Sequence, residues 1–137
     1  MTKTLGTMTV DTVDLVMEFH DTFGHPIKTD PDISDDALNT LRIDLLKEEL
    51  EELKQALEEK DIVKVLDACL DLQYVLDGAM IVWGLALYKN LGFQEVHNSN
   101  MSKDGEDGKP IVREDGKILK GPNYFKPDLY NVIGHRL

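Results

Sequence analysis

Cysteine occurs once in these 137 residues, as Cys69, so no disulfide framework can hold the chain together. A reducing, cytoplasmic setting is the natural expectation. Long apolar runs are also missing. The longest, Gly78 to Leu87, is about half of what a membrane span requires, which argues against a membrane protein. The opening MTKTLGTMTV has no such run behind its lysine, so no signal peptide is expected. Basic residues are scarce: 15 Lys and Arg against 26 Asp and Glu leave a net charge of −11. That balance disfavours binding a nucleic acid polymer, where cationic side chains must replace condensed counterions. None of the histidines, His20, His25, His97 and His135, follows a glutamate by three, so the Glu-x-x-His pairs of a di-iron bundle are absent. No Cys/His cluster suits zinc. The stretch Asp104-Gly-Glu-Asp-Gly is too short a match to a calcium-binding EF-hand loop. The acidity remains compatible with nucleotides, because carboxylates hold divalent cations that in turn hold phosphates.

What is present is helical periodicity. A first helix is expected from Thr9 or Asp11 to His20, its apolar set being Val10, Val13, Leu15, Val16, Met17 and Phe19. Gly24-His25-Pro26 and Asp30-Pro31-Asp32 break it. Ser34 or Asp35 caps a second helix running to Lys60, and Asp61 caps a third that ends near Trp83, with Gly84 in the stopping position. A fourth covers Leu85 to Met101, with an interruption near Gly92. Beyond Lys103 the composition turns to loop. A small hairpin over Ile111–Leu119 has Asp115-Gly116 at its turn, and an extended arm follows from Gly121. The class is all-α, a bundle of four to five helices. One domain over 1–137 is expected, with a helical core of about 9–103 and a hairpin and arm over 104–137.

The second helix carries LLKEELEELKQALEEK. Leu46, Leu50, Leu53 and Leu57 form one stripe, read as core. Lys47, Glu51, Lys54 and Glu58 form another, paired at i,i+4 and read as solvated. Glu48, Glu49 and Glu52 belong to neither. They share a third sector with Leu41, Leu45 and Ala56, where like charges at i,i+4 cost a few tenths of a kcal/mol if nothing compensates. The third helix, DIVKVLDACLDLQYVLDGAMIVW, is apolar almost all round and reads as buried. Asp67 and Asp71 nevertheless sit on one of its faces, with Tyr74 and Gly78 following. Carboxylates in apolar surroundings need a partner, either a basic residue from elsewhere or a metal. Lys64 and Arg42 are the few local cations, and an oxygen-only donor set selects Mg²⁺, or Mn²⁺. Asp77 falls in another sector and is expected at the surface or an interface.

Glu48-Glu49-x-x-Glu52 on one helix and Asp71-Leu-Gln-Tyr on the next resemble the E-E-x-x-E and E-x-x-D motifs of the all-α NTP pyrophosphohydrolases, the MazG-like superfamily. The later EVHNSNMSK and GKPIVREDGKILKGPNYFKPDL look like the C-terminal region of members related to phosphoribosyl-ATP pyrophosphohydrolase. The resemblance spans most of the chain. It implies metal ligation by Glu48, Glu49, Glu52 and Asp71, with Glu48 or Glu49 orienting or deprotonating a water. One position departs: the second motif's glutamate falls at Ala68, and the carboxylate here is Asp67, which serves as a ligand directly or through water. The implied activity is Mg²⁺-dependent cleavage of a nucleoside triphosphate between the α and β phosphates. Asn98, Asn100 and Lys103 are expected on phosphate or sugar, Tyr74 on the nucleotide, and Lys120, Asn123 and Tyr124 closing from the arm. The resemblance also implies dimers or tetramers, and Met80, Ile81 and Trp83, on a helix apolar almost all round, agree with extensive burial within a chain or between chains. Other readings are a phosphoribosyl-ATP, dUTP or dCTP enzyme, and a non-catalytic helical interaction module whose metal site has degenerated at Ala68.

Overall fold

In the computed structural model, residues 10–134 are described. The chain forms two compact units, one ending at Ala86 and the other beginning at Leu87. The first unit contains α1 (Thr12–Phe23), α2 (Asp36–Glu59) and α3 (Ile62–Val82). The second contains α4 (Lys89–Met101) and α5 (Leu129–Ile133), and a 3-10 turn, Ala86–Tyr88, lies where the units meet in sequence. The alternative helix start at Thr9 lies outside the described residues. α1 begins at Thr12 because Asp11 caps it, its carboxylate accepting from Val13 N. Asp35 caps α2 and Asp61 caps α3 in the same way, as their positions before apolar-periodic runs require.

Within the first unit α3 packs on both α2 and α1. Val13, Val16 and Ile81 form the centre of the core, with Met17 and Ala86 against it. The loop between α1 and α2 is stitched to the end of α3: Lys28 N donates to Ile81 O at 3.2 Å and Asp32 N to Trp83 O at 3.0 Å. Gly84 sits at φ 72° with Asp30 backbone where a Cβ would stand, so only glycine lets the loop approach so closely. Trp83 Nε1 donates to Asn39 Oδ1 at 2.8 Å, tying α3 to the start of α2.

Three expectations are corrected here. Asp77 is not at the surface: it is 0% exposed, its carboxylate accepting from Thr12 Oγ1 at 2.6 Å and Gln73 Nε2 at 3.1 Å. The leucine stripe of α2 is only partly core, because Leu50 and Leu57 each remain 57% exposed. Apart from Ala68 at the α2 seam, α3 is enclosed towards its C-terminal end, from Asp77 to Val82, and its first turns leave Ile62, Val63, Leu66 and Leu70 open. A single hairpin partner covers one side of a helix, and α1 meets α3 at Tyr74, Asp77 and Ile81, beyond its first turns.

In the second unit α4 runs through Gly92 without interruption. The expected hairpin forms as an isolated bridge, Val112 opposite Ile118, with Arg113 N donating to Lys117 O at 2.8 Å. The arm is extended at first, but α5 ends it, capped by Asp128. The arm is held to α4 by Ser99 Oγ donating to Phe125 O at 2.7 Å and by Asp128 N donating to the Glu95 carboxylate at 2.9 Å. No helix among the described residues is long and apolar enough to cross a membrane.

Candidate functional site

The link between α2 and α3 is as short as a helical hairpin allows. Lys60 takes the left-handed conformation at φ 55°, and Asp61 at once caps α3, accepting from Val63 N at 3.0 Å and Lys64 N at 3.2 Å. A tight antiparallel turn makes residues equidistant from it meet across the seam. Glu49 and Asp71 are equidistant in sequence from Lys60, as are Glu52 and Ala68, and as are Arg42 and Gly78.

At the Glu49 level the seam gathers three carboxylates. Glu49, Glu52 and Asp71 each offer an oxygen, and these lie within 4.8 Å of one another. Glu49 Oε2 is buried without a hydrogen-bond partner. Burial raises the Glu49 pKa first of all. The Glu52 carboxyl beside it raises it further, and the charges of Asp71 and Glu48 add to this. The Asp71 pKa is raised as well, by burial and then by the charges of Asp67 and Glu52. Two half-buried acids held against their neighbours are the electrostatic condition a bound cation relieves. The donors are all carboxylate oxygens, which suits a hard divalent ion.

Of the expected ligands, Glu49, Glu52 and Asp71 are thus brought together. Glu48 is exposed and stays outside the trio, though close enough for its charge to act on Glu49. Asp67 is exposed too. It lines a cleft of about 280 Å³ together with Glu52, Ala68 and Lys64. The substitution at Ala68 therefore falls on that cleft, next to Asp67. Lys64 is engaged by Glu59 at 2.9 Å. Tyr74, one turn beyond Asp71, is edge-on to Phe19 at 5.6 Å and partly exposed.

The remaining expected contacts belong to the second unit. There Asn98 Oδ1 accepts from Gln94 Nε2 at 2.9 Å. Asn100 and Asn123 are exposed. The Lys103 carbonyl accepts from Gly121 N at 3.1 Å, and Lys120 Nζ lies 4.8 Å from the centre of the Tyr124 ring. This unit therefore sets Lys103 close in the chain fold to the segment bearing Lys120 and Tyr124.

One group of residues was not anticipated. Arg42 is 5% exposed, and its Nε has no hydrogen-bond partner. It lies across Gly78, where a Cβ would stand 2.8 Å from Arg42 Nη1 and 3.1 Å from His20 Nε2. The symmetric spacing of Arg42 and Gly78 about Lys60 was the available signal. It becomes useful only once the turn is fixed at that residue.

Helical hairpins of this kind, with acids facing across the seam, define the all-α nucleotide pyrophosphohydrolase class. Residues 16–100 match the phosphoribosyl-ATP pyrophosphohydrolase family, and the chain belongs to that family. It is also 45% identical over 76 residues to Uncharacterized protein L479 of Acanthamoeba polyphaga mimivirus. The match covers 53% of this chain and 30% of that protein, so it spans about a third of the relative's length.

Proposed function

We propose that this protein is a Mg²⁺-dependent nucleoside triphosphate pyrophosphohydrolase that cleaves between the α and β phosphates to release a monophosphate and pyrophosphate. The observation that carries the reading is the trio Glu49, Glu52 and Asp71 within 4.8 Å, facing one another across a hairpin of a pyrophosphohydrolase family. The unpartnered Glu49 Oε2 fits a metal in that position. Mg²⁺, or Mn²⁺, supplies charge neutralisation for the triphosphate and lowers the pKa of a bound water.

The chain's own residues divide the work. Glu49, Glu52 and Asp71 would hold the cation, with Asp67 supporting it from the neighbouring cleft. Glu48, outside the trio yet beside Glu49, accepts the proton of the attacking water. Tyr74 packs on the nucleotide. Within the second unit, Asn98, Asn100 and Lys103 are the proposed contacts to phosphate or sugar, with Lys120, Asn123 and Tyr124 as further candidates for substrate contact. The exposed apolar side chains of α2 and α3, among them Leu50, Leu57 and Leu66, support self-association into dimers or tetramers. Cleansing of the cytoplasmic nucleotide pool is the physiological role that fits such an enzyme.

A second reading, phosphoribosyl-ATP as substrate, is favoured by the family match itself. Pyrophosphate release from the canonical NTPs and dNTPs, dUTP and phosphoribosyl-ATP, each with Mg²⁺, Mn²⁺ or EDTA, separates the two. Metal-dependent release with one preferred substrate is expected. A folded, metal-binding protein that releases pyrophosphate from none of them would leave the interaction-module reading in its place.

A further inference from the structure

A buried cation with no counter-charge is costly unless something supplies an acceptor. Arg42 is in that position: it is buried, its Nε is orphaned, and burial lowers its pKa. Among the described residues no carboxylate forms an ion pair with it. The sequence also makes room for it at a cost. Gly78 interrupts an otherwise apolar helix, where alanine would be about 1 kcal/mol better by propensity, and a Cβ there would stand 2.8 Å from Arg42 Nη1, so the guanidinium would have to shift. His20 adds a third element. Its Nδ1 is 2.9 Å from the Pro26 carbonyl, and donation to that oxygen leaves Nε2 as a bare acceptor on the Gly78 side, unable to compete as a cation.

The register places this group relative to the acids. Arg42 precedes Glu49 by two helical turns on the same face of α2, and Gly78 follows Asp71 by two turns on α3. Two turns amount to about 10 Å along the seam, the span that a ligand held by its phosphates at the trio has to bridge to reach Arg42.

We propose that Arg42 is a specificity-determining residue that donates to an acceptor oxygen of the substrate remote from the reacting phosphates. That oxygen is a base carbonyl or, in a phosphoribosylated substrate, an oxygen of the second phosphate. A guanidinium has donors and no acceptor, so it favours a keto edge over an amino edge. This inference rests on the proposed function, since it needs the triphosphate at the acidic end of the seam.

Thermal-shift and calorimetric titrations of the full chain with Mg²⁺ test it. The ligands are inorganic pyrophosphate, the non-hydrolysable α,β-imido forms of dUTP and dCTP, and phosphoribosyl-ATP. Pyrophosphate occupies only the acidic end and should stabilise the wild type and Arg42→Met alike. The analogue with the acceptor, dUTP-like or phosphoribosylated, should stabilise the wild type beyond pyrophosphate. In Arg42→Met its affinity should fall about 10- to 100-fold, the worth of a charged hydrogen bond. The melting temperature of the ligand-free variant should hold or rise. The arm that loses affinity tells a base carbonyl from a second phosphate. If Arg42→Met melts lower without ligand yet keeps the full nucleotide advantage, Arg42 is structural and the inference is wrong while the proposed function stands. If neither pyrophosphate nor any nucleotide stabilises the wild type, the proposed function fails and takes the inference with it. Should Arg42→Met not fold, Arg42→Lys keeps a point charge without the planar fork. It should retain pyrophosphate binding and narrow the dUTP-to-dCTP preference, and an unchanged preference would overturn the inference.

Discussion

Where α2 brings Glu49 against Asp71, like charges crowd a half-buried seam; two turns further along the same seam, Arg42 lies sealed over Gly78 beside a neutral histidine. Both ends are built by one antiparallel register about Lys60, and both leave a charge uncompensated within the described residues. They differ in what would relieve them. The acidic end exposes several carboxylate oxygens around a small volume and invites a cation. The basic end offers one rigid fork in a tight cradle and accepts a single oxygen group. A hairpin with these two unmet demands spaced along it is electrostatically matched to a molecule that brings metal-bound phosphates at one end and an acceptor at the other.

Removing the acidic demand should have the largest effect. Glu49→Gln and Asp71→Asn should each lower metal-dependent pyrophosphate release by about 100-fold or more, because the metal contributes several kcal/mol to such a transition state. The same variants should melt higher than the wild type in EDTA, since neutralising one acid removes the cost of burying its charge and the repulsion from its neighbours, which together raise the pKa values of Glu49 and Asp71. Circular dichroism should show the helices intact. Retained turnover in either variant would end the assignment of the trio.

The basic end is tested by filling its cradle. Gly78→Ala improves helix propensity by about 1 kcal/mol, but its methyl group would stand 2.8 Å from Arg42 Nη1. Overpacking should prevail and give a net loss of about 1–3 kcal/mol in urea unfolding. Adding Arg42→Met should recover much of it, a coupling a double-mutant cycle reads directly. A stabilising Gly78→Ala would mean that the guanidinium moves aside freely and that the glycine is not kept for it.

Asp67 sharpens the boundary of the acidic end. It stands outside the trio but lines the cleft with Glu52 and Ala68. Asp67→Asn should weaken Mn²⁺ binding about tenfold in calorimetry, the scale of a residue acting through another ligand or water. A loss as large as that of Asp71→Asn would make Asp67 a direct ligand, and no loss would remove it from the site.

The acidic end was legible because aspartates in an apolar helix are conspicuous in one dimension: Asp67 and Asp71 break the local pattern, and Glu49 and Glu52 share a sector that charge pairing does not explain. Asp77 breaks the pattern equally, yet the local sequence points it to the surface and the fold buries it. Its partner Thr12 is 65 residues away, and nothing in the local sequence announces a hydroxyl arriving from another helix. The leucine stripe shows a related limit, since periodicity identifies an apolar face without saying what covers it, and Leu50 and Leu57 stay open in the single chain. α5 escaped notice because five residues give too little periodicity to separate a helix from an extended arm.

The smallest effect is also the most direct contrast, because the two ends respond to acid with opposite sign. Burial holds the pKa of His20 below its ordinary 6.5, so the unfolded chain binds the proton more readily. Its contribution to stability is present above 6.5 and is lost as pH falls through the folded value. Glu49 and Asp71 have folded pKa values above their ordinary 4.5 and 3.8, so here the native state takes up protons first. Their repulsion weighs against the fold at neutral pH and fades as pH falls through those raised values. In EDTA the two trends oppose each other, so acid should move the urea midpoint less than either trend would alone. With saturating Mg²⁺ the carboxylates are already satisfied, and acid both charges His20 and competes for the metal's ligands, so the midpoint should fall more steeply. His20→Gln should flatten the Mg²⁺ slope in part and turn the EDTA slope towards greater stability in acid. If the EDTA slope is the same with and without His20, the basic end contributes no titrating group, and the contrast reduces to the carboxylates alone.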